Sequence, residues 1–177
     1  MSSSRTFHPP ESDEYHEFYE KYINSFEAAE FFRLFKSQDS QLQELLGNLE
    51  PGEDSRLHEP YTWTLKQVVG HLIDCERIFS MRMLRIAVGD ETPIPGIDQN
   101  HYVASLDYES VSMADLLEEF SHLRKSNVLL AKRLPPELLA RRGVASDNPV
   151  SARANLFILV GHVAYHFAIM KQRLGVA

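Results

Sequence analysis

Cysteine occurs once in the 177 residues, at Cys75, so no disulfide can form within the chain and a secreted, disulfide-framed scaffold is excluded. A surplus of positive charge is also missing: 18 Lys and Arg stand against 25 Asp and Glu, a formal net charge of −7. Nucleic acid and anionic membrane surfaces are held by concentrated Lys and Arg, so neither is expected as a partner. Met1 to Pro10 hold no apolar run, which offers neither a signal peptide nor a spanning helix, and a cytoplasmic location is expected. No stretch alternates apolar and polar residues for long enough to read as a half-buried strand. What is present, 44% hydrophobic and 24% charged residues, is the mixture of a core-forming globular chain of one domain.

Helical spacing dominates that mixture. Residues 1–25 read as an N-terminal arm, its first dozen positions rich in Ser and Pro and expected to be mobile or draped, with a short aromatic helical segment from Tyr15 to Phe26. The domain proper, 26–177, is predicted to be an all-α four-helix bundle. Helix one, Ala28 to Leu49, carries Phe31, Phe35, Leu42 and Leu46 on one stripe and ends at Pro51-Gly52. Helix two runs from Thr64 to Val88, with Gly89 as its stop, and helix three from the N-cap Ser112 to Leu134, before Pro135 and Pro136. The last helix, Ser151 to Leu174, is apolar nearly all round and is predicted to be the most buried. Gly89 to Ser110, with Pro93, Pro95 and Gly96, reads as a long loop that can cross the bundle and let helix three run parallel to helix two.

Two of these helices share a local echo, Val69-Gly70-His71-Leu72 and Val160-Gly161-His162-Val163. A glycine inside a helix costs about 1 kcal/mol relative to alanine, and close backbone approach is the simplest reason to keep one before each histidine. His162 and His166 are one helical turn apart and share a face, and His71 lies at the edge of the helix-two stripe. Three neutral imidazoles from two helices can hold a metal ion and leave a position open for water or substrate, as catalytic sites do. Packed core histidines are the alternative, since a pair at this spacing arises by chance in roughly one such chain in three.

The run YTWTLKQVVGHLIDCE from Tyr61 to Glu76, the Pro95-Gly96-Ile97-Asp98-Gln99 loop and the run GHVAYHF from Gly161 to Phe167 resemble the DinB/YfiT superfamily. The resemblance implies an up-down-down-up bundle that pairs into homodimers. It also implies a nickel, zinc, iron or manganese ion held by His71, His162 and His166. Relatives are thiol-dependent S-transferases and isomerases that use bacillithiol or mycothiol, or metal-dependent hydrolases. The expected function is therefore action on a small-molecule substrate by a metal-activated thiol or water, with a low-molecular-weight thiol as a further cosubstrate. A non-catalytic, stress-related bundle with a structural or vestigial metal is the competing reading. Many relatives carry a second adjacent histidine where this chain has Tyr165, which leaves Tyr165 as a hydrogen-bond donor or as aromatic packing.

Further candidates follow from the same winding. Arg124 and Asn127 fall in the core stripe of helix three, either to recognise a substrate carboxylate or thiol cofactor, or, for Arg124, in an ion pair with Asp39 or Asp74. Asp74, one turn from His71, can accept the imidazole N–H or lie on a solvated face. Asp98 and His101 sit in the long loop, a candidate lid over the metal with His101 as a possible fourth ligand. Cys75 reads as a thiol near the metal or as inert packing, and Trp63 as the anchor of helix two.

Overall fold

The computed structural model describes residues 7–176, so the expectation for the first six residues of the arm lies outside them. A four-residue helix, α1 (Glu20–Ile23), precedes α2 (Phe31–Leu46), α3 (Leu65–Ala87), α4 (Gln99–Ser105), α5 (Met113–Arg133), α6 (Pro136–Leu139) and α7 (Ala152–Arg173). The four long helices, α2, α3, α5 and α7, form the bundle. Three of them start where a side-chain oxygen can satisfy free backbone N–H groups. Thr64 accepts from the backbone of Gln67 while Gln67 reaches back to Thr64, Ser112 accepts from Asp115, and Ser151 accepts from Ala154.

The core has two ends. One end gathers Phe31 and Phe35 of α2, Met83 and Ile86 of α3, Val128 and Ala131 of α5, and Leu156 to Val160 of α7. At the other are Leu42 and Leu46, Leu65 to Ile73, Met113 to Phe120, and Val163 and Met170. Thus α2 and α7 run from the first end to the second, while α3 and α5 both run from the second to the first. The parallel pair α3 and α5 needs a connection that traverses the bundle. It holds α4 and a 3-10 turn at Tyr108–Ser110, where the sequence suggested only loop.

Helix α7 is the centre of this arrangement: Leu156, Phe157, Ile158, Leu159 and Val160 are each at most 1% exposed. By length and composition it could cross a membrane, but 61% of its apolar window is buried inside the bundle. Its all-round apolar character is accounted for by neighbours on several sides.

Besides α4, the short helix α6 past Pro135 and a β-hairpin lie outside the expected helices. Strands β1 (Arg142–Ala145) and β2 (Asn148–Ser151) pair antiparallel. Their two-residue turn, Ser146 and Asp147, has φ of 53° and 62°, the left-handed pair that a tight hairpin requires. Ile94 joins its edge, donating to the Val144 carbonyl at 2.9 Å and accepting from the Ser146 N–H at 2.9 Å. From residue 7 onward the N-terminal segment is draped on the bundle, one of the two arrangements expected for it. Phe7 packs on Phe31 with ring centroids 5.1 Å apart, and Glu14 is buried beside Ser151 and Arg153.

Candidate metal centre

The histidines sit at the seam between the two core ends, where α3 faces α7. His71, His162 and His166 each offer one ring nitrogen, and these atoms all lie within 4.8 Å of one another. The Nε2 atoms of His71 and His162 are 3.0 Å apart. The two glycines of the echo explain how the backbones around them come so close. A Cβ on Gly70 would stand 2.3 Å from the Tyr108 ring, and one on Gly161 would stand 2.0 Å from the Tyr22 carbonyl oxygen. Ser25 ties this approach down, its hydroxyl donating to the Tyr22 carbonyl at 2.7 Å and the Gly161 carbonyl at 3.0 Å.

Aromatic rings wall the cluster. Tyr22 meets His162 edge-on at 5.0 Å, Trp63 lies 5.0 Å from His71, and Phe79 lies 5.8 Å from His162. Burial among them removes water that would solvate an imidazolium, so all three bases are held neutral. The His71 pKa is pushed down to about 4 by burial. That of His166 is pushed to about 3 by burial and then by the neighbouring His71. His162 is lowered by burial first and by the other two histidines next. Neutral imidazole is the form that binds a metal, so the donor set suits a divalent ion such as zinc, nickel or iron.

A cleft of about 430 Å³ opens on this cluster, lined by His71, His162, Tyr22, Phe79 and Arg82 among others. Cys75 lines it too, its sulfur 3.7 Å from His71 Nε2. Burial, and then the charges of Asp74 and Glu76, push its thiol pKa well up, so it stays protonated.

Other candidates are placed differently from their sequence readings. Asp74 does not orient His71; its carboxylate accepts from the Tyr108 hydroxyl, drawn there by the ring that Gly70 admits. Arg124 pairs with neither Asp39 nor Asp74 but with Glu76, at 2.5 Å, both side chains being almost wholly buried. Asn127 donates to the same Glu76 carboxylate at 2.8 Å, so neither residue lines the cleft. Asp98 does line it, but its carboxylate caps α4 by accepting from the Asn100 and His101 backbone. His101 is exposed on α4 and does not join the nitrogen cluster. Tyr165 packs edge-on against Tyr22 at 5.3 Å and His166 at 5.4 Å. Sequence reasoning missed Tyr22, which arrives from the arm, and Arg82. The latter had a readable signal, since residues 71, 75, 79 and 82 fall on one helical face.

Comparison with known proteins places the same residues in a wider group. A model of the DinB superfamily matches residues 34–170, more than half of the chain. A protein of Oceanobacillus iheyensis named "Putative metal-dependent hydrolase" is 24% identical over 148 residues, covering 82% of this chain and 84% of that one. Among solved structures, YfiT of Bacillus subtilis, described as "a probable metal-dependent hydrolase with an unusual four-helix bundle topology", superposes with a TM-score of 0.72. It is 17% identical, with 97% of this chain and 95% of that chain covered.

Proposed function

The chain belongs to the DinB superfamily, and on that footing we propose that it is a metal-dependent enzyme that hydrolyses a small molecule in the cleft beside His71, His162 and His166. The observation that carries the reading is the convergence of three neutral imidazoles from two helices, two of which, His71 and His162, line a substrate-sized cleft with His166 beside them. When bound, a divalent ion with free positions supplies Lewis acidity and lowers the pKa of water or a thiol. The chain's own part is to hold the three imidazoles unprotonated, to orient them through the packed Gly70 and Gly161 turns, and to dry the site with Tyr22, Trp63 and Phe79. Thiol transfer is the second reading. Cys75 is kept protonated by burial, so a thiol nucleophile would come from solution as a low-molecular-weight cosubstrate.

Elemental analysis of untagged protein tests the site, with His162→Ala beside wild type, each reloaded with nickel, zinc, manganese or anaerobic iron. The reading expects about one ion per chain in wild type and none in the variant. Turnover of small esters, amides and electrophiles, with and without added thiol, then separates hydrolysis from transfer. Equal, negligible metal in both proteins overturns the reading. Bound metal without turnover, whose removal collapses stability, favours a structural ion instead.

A further inference from the structure

Arg82 is 3% exposed, lines the cleft of the histidines, and is paired with no carboxylate among the described residues. Its hydrogen-bond partners are all neutral. Nη2 donates to the Pro95 carbonyl at 3.1 Å and to Ser146 Oγ at 3.0 Å, and Nη1 reaches the Tyr19 hydroxyl at 3.4 Å. A guanidinium has five N–H donors, so three acceptors leave two donors unused, and Nε is buried with no partner at all. Arg124, the other buried arginine of the bundle, also leaves Nε and Nη1 without a hydrogen-bond partner, so the contrast lies in charge: Arg124 has the Glu76 carboxylate to balance it and Arg82 has none.

A buried cation without a counter-charge is costly to desolvate, and a fold that keeps one on a cleft wall leaves room for the anion to come from outside. Arginine suits that task, since its planar fork matches a carboxylate or phosphate and cannot be deprotonated at working pH. Its place on α3 sets the geometry of the ligand. Residue 82 follows His71 by three helical turns, roughly 16 Å of rise, and side chains on a helix lean toward its N-terminus, so the guanidinium leans back toward the histidines. Phe79 and Cys75 lie between them on the same face, and Ile97 closes the cleft from the crossing connection. The carboxylate of Asp98, on the cleft rim, is spent on the start of α4 and forms no ion pair with Arg82.

We propose that Arg82 is the anion-binding residue of this cleft, receiving the carboxylate or phosphate of a substrate whose body lies along Phe79 and whose reacting end points to His71 and His162. The substrate class is thus a compact molecule with an apolar middle and an anion at one end. This rests on the metal-site reading for the reacting end only, because anion capture by Arg82 needs no metal. The sequence left Arg124 between this role and an internal ion pair; with Arg124 paired to Glu76, the proposal gives the role to the arginine that lacks an acid.

The test is calorimetric titration of the full-length protein, metal-free and zinc-loaded, with benzoate and phenyl phosphate, and with benzamide as the uncharged analogue. The expected result is saturable binding of at least one anion to metal-free protein, tenfold or more tighter than benzamide. Arg82→Gln should weaken it at least tenfold, Arg82→Lys should fall between, and the stronger of the two probes names carboxylate or phosphate. Zinc content of Arg82→Gln should equal that of wild type, so a failure of the metal reading shows separately. Since Arg82 also ties the hairpin turn to α3, the Arg82 Nε–H resonance of wild-type protein gives a second reading that does not depend on a variant folding. It should shift and saturate with the same anion. Anion binding that is unchanged in Arg82→Gln, with or without zinc, overturns the proposal, as does a wild-type protein that binds neither anion or an Nε–H resonance that does not move.

Discussion

The carbonyl oxygen of Tyr22 stands where a side chain on Gly161 would be, 2.0 Å from the position of its Cβ. That contact joins the N-terminal segment to the helix that carries two of the three histidines. In an exposed helix, Gly→Ala gains about 1 kcal/mol. At Gly161 the methyl group meets backbone, which cannot rotate away, so Gly161→Ala is expected to lower stability by roughly 2–4 kcal/mol in urea melts. Gly70→Ala should cost less, because its obstacle is the Tyr108 side chain. A Gly161→Ala protein as stable as wild type would mean that residues 20–25 do not dock on α7 as described.

Two buried histidines and the half-buried His166 make the metal-free protein sensitive to acid, and the sign follows from their lowered pKa values. An unfolded histidine takes up its proton near pH 6.5, whereas folded His71 and His166 wait until about 4 and 3. Between those limits the unfolded state binds more protons, so stability is full above pH 6.5 and falls as the pH drops toward 4. Each histidine contributes a slope of up to ~1.4 kcal/mol per pH unit. Urea unfolding of chelated protein at several pH values measures it, and His71→Asn should flatten the slope by one histidine's share. An identical slope in the variant would place His71 in water.

The single tryptophan offers a direct view of the same site, since the Trp63 ring lies 5.0 Å from that of His71. Loading with nickel, a paramagnetic ion, is expected to quench indole emission, and His162→Ala should abolish the effect at equal nickel. Quenching that persists in the variant would put the ion elsewhere.

Much of the bundle was readable because its helices declare themselves by spacing and caps. Thr64, Ser112 and Ser151 each precede an apolar stripe, and the structure starts α3, α5 and α7 one residue after them. The histidine cluster was readable for the same reason, through the shared face of His162 and His166 and the repeated Gly-His step. The hairpin was not, because Ser146-Asp147 lacks the glycine that usually marks a left-handed two-residue turn. Nor could Tyr22 be placed, since its contact with α7 joins residues nearly the whole chain apart in sequence. Partner choice was the hardest step. Periodicity put Arg124 in the core, but whether it meets Glu76, Asp39 or Asp74 depends on the register between α3 and α5, which no local pattern encodes.

That register yields the last prediction. Arg124 and Glu76 meet at 2.5 Å, with Asn127 completing the carboxylate's shell and the guanidinium between the Phe35 and Phe120 rings. Removing one partner strands a buried charge, so Arg124→Met should cost about 3–5 kcal/mol. Replacing both, as in Glu76→Leu with Arg124→Met, removes the stranded charge and should restore most of that loss, because two desolvated ions are exchanged for apolar volume. Chemical denaturation of the two singles and the double closes the cycle. The double variant should also keep wild-type metal content and turnover, since neither residue lines the cleft. Turnover lost in a stable double variant would return Arg124 to the substrate, and with it the role that the cleft geometry gives to Arg82.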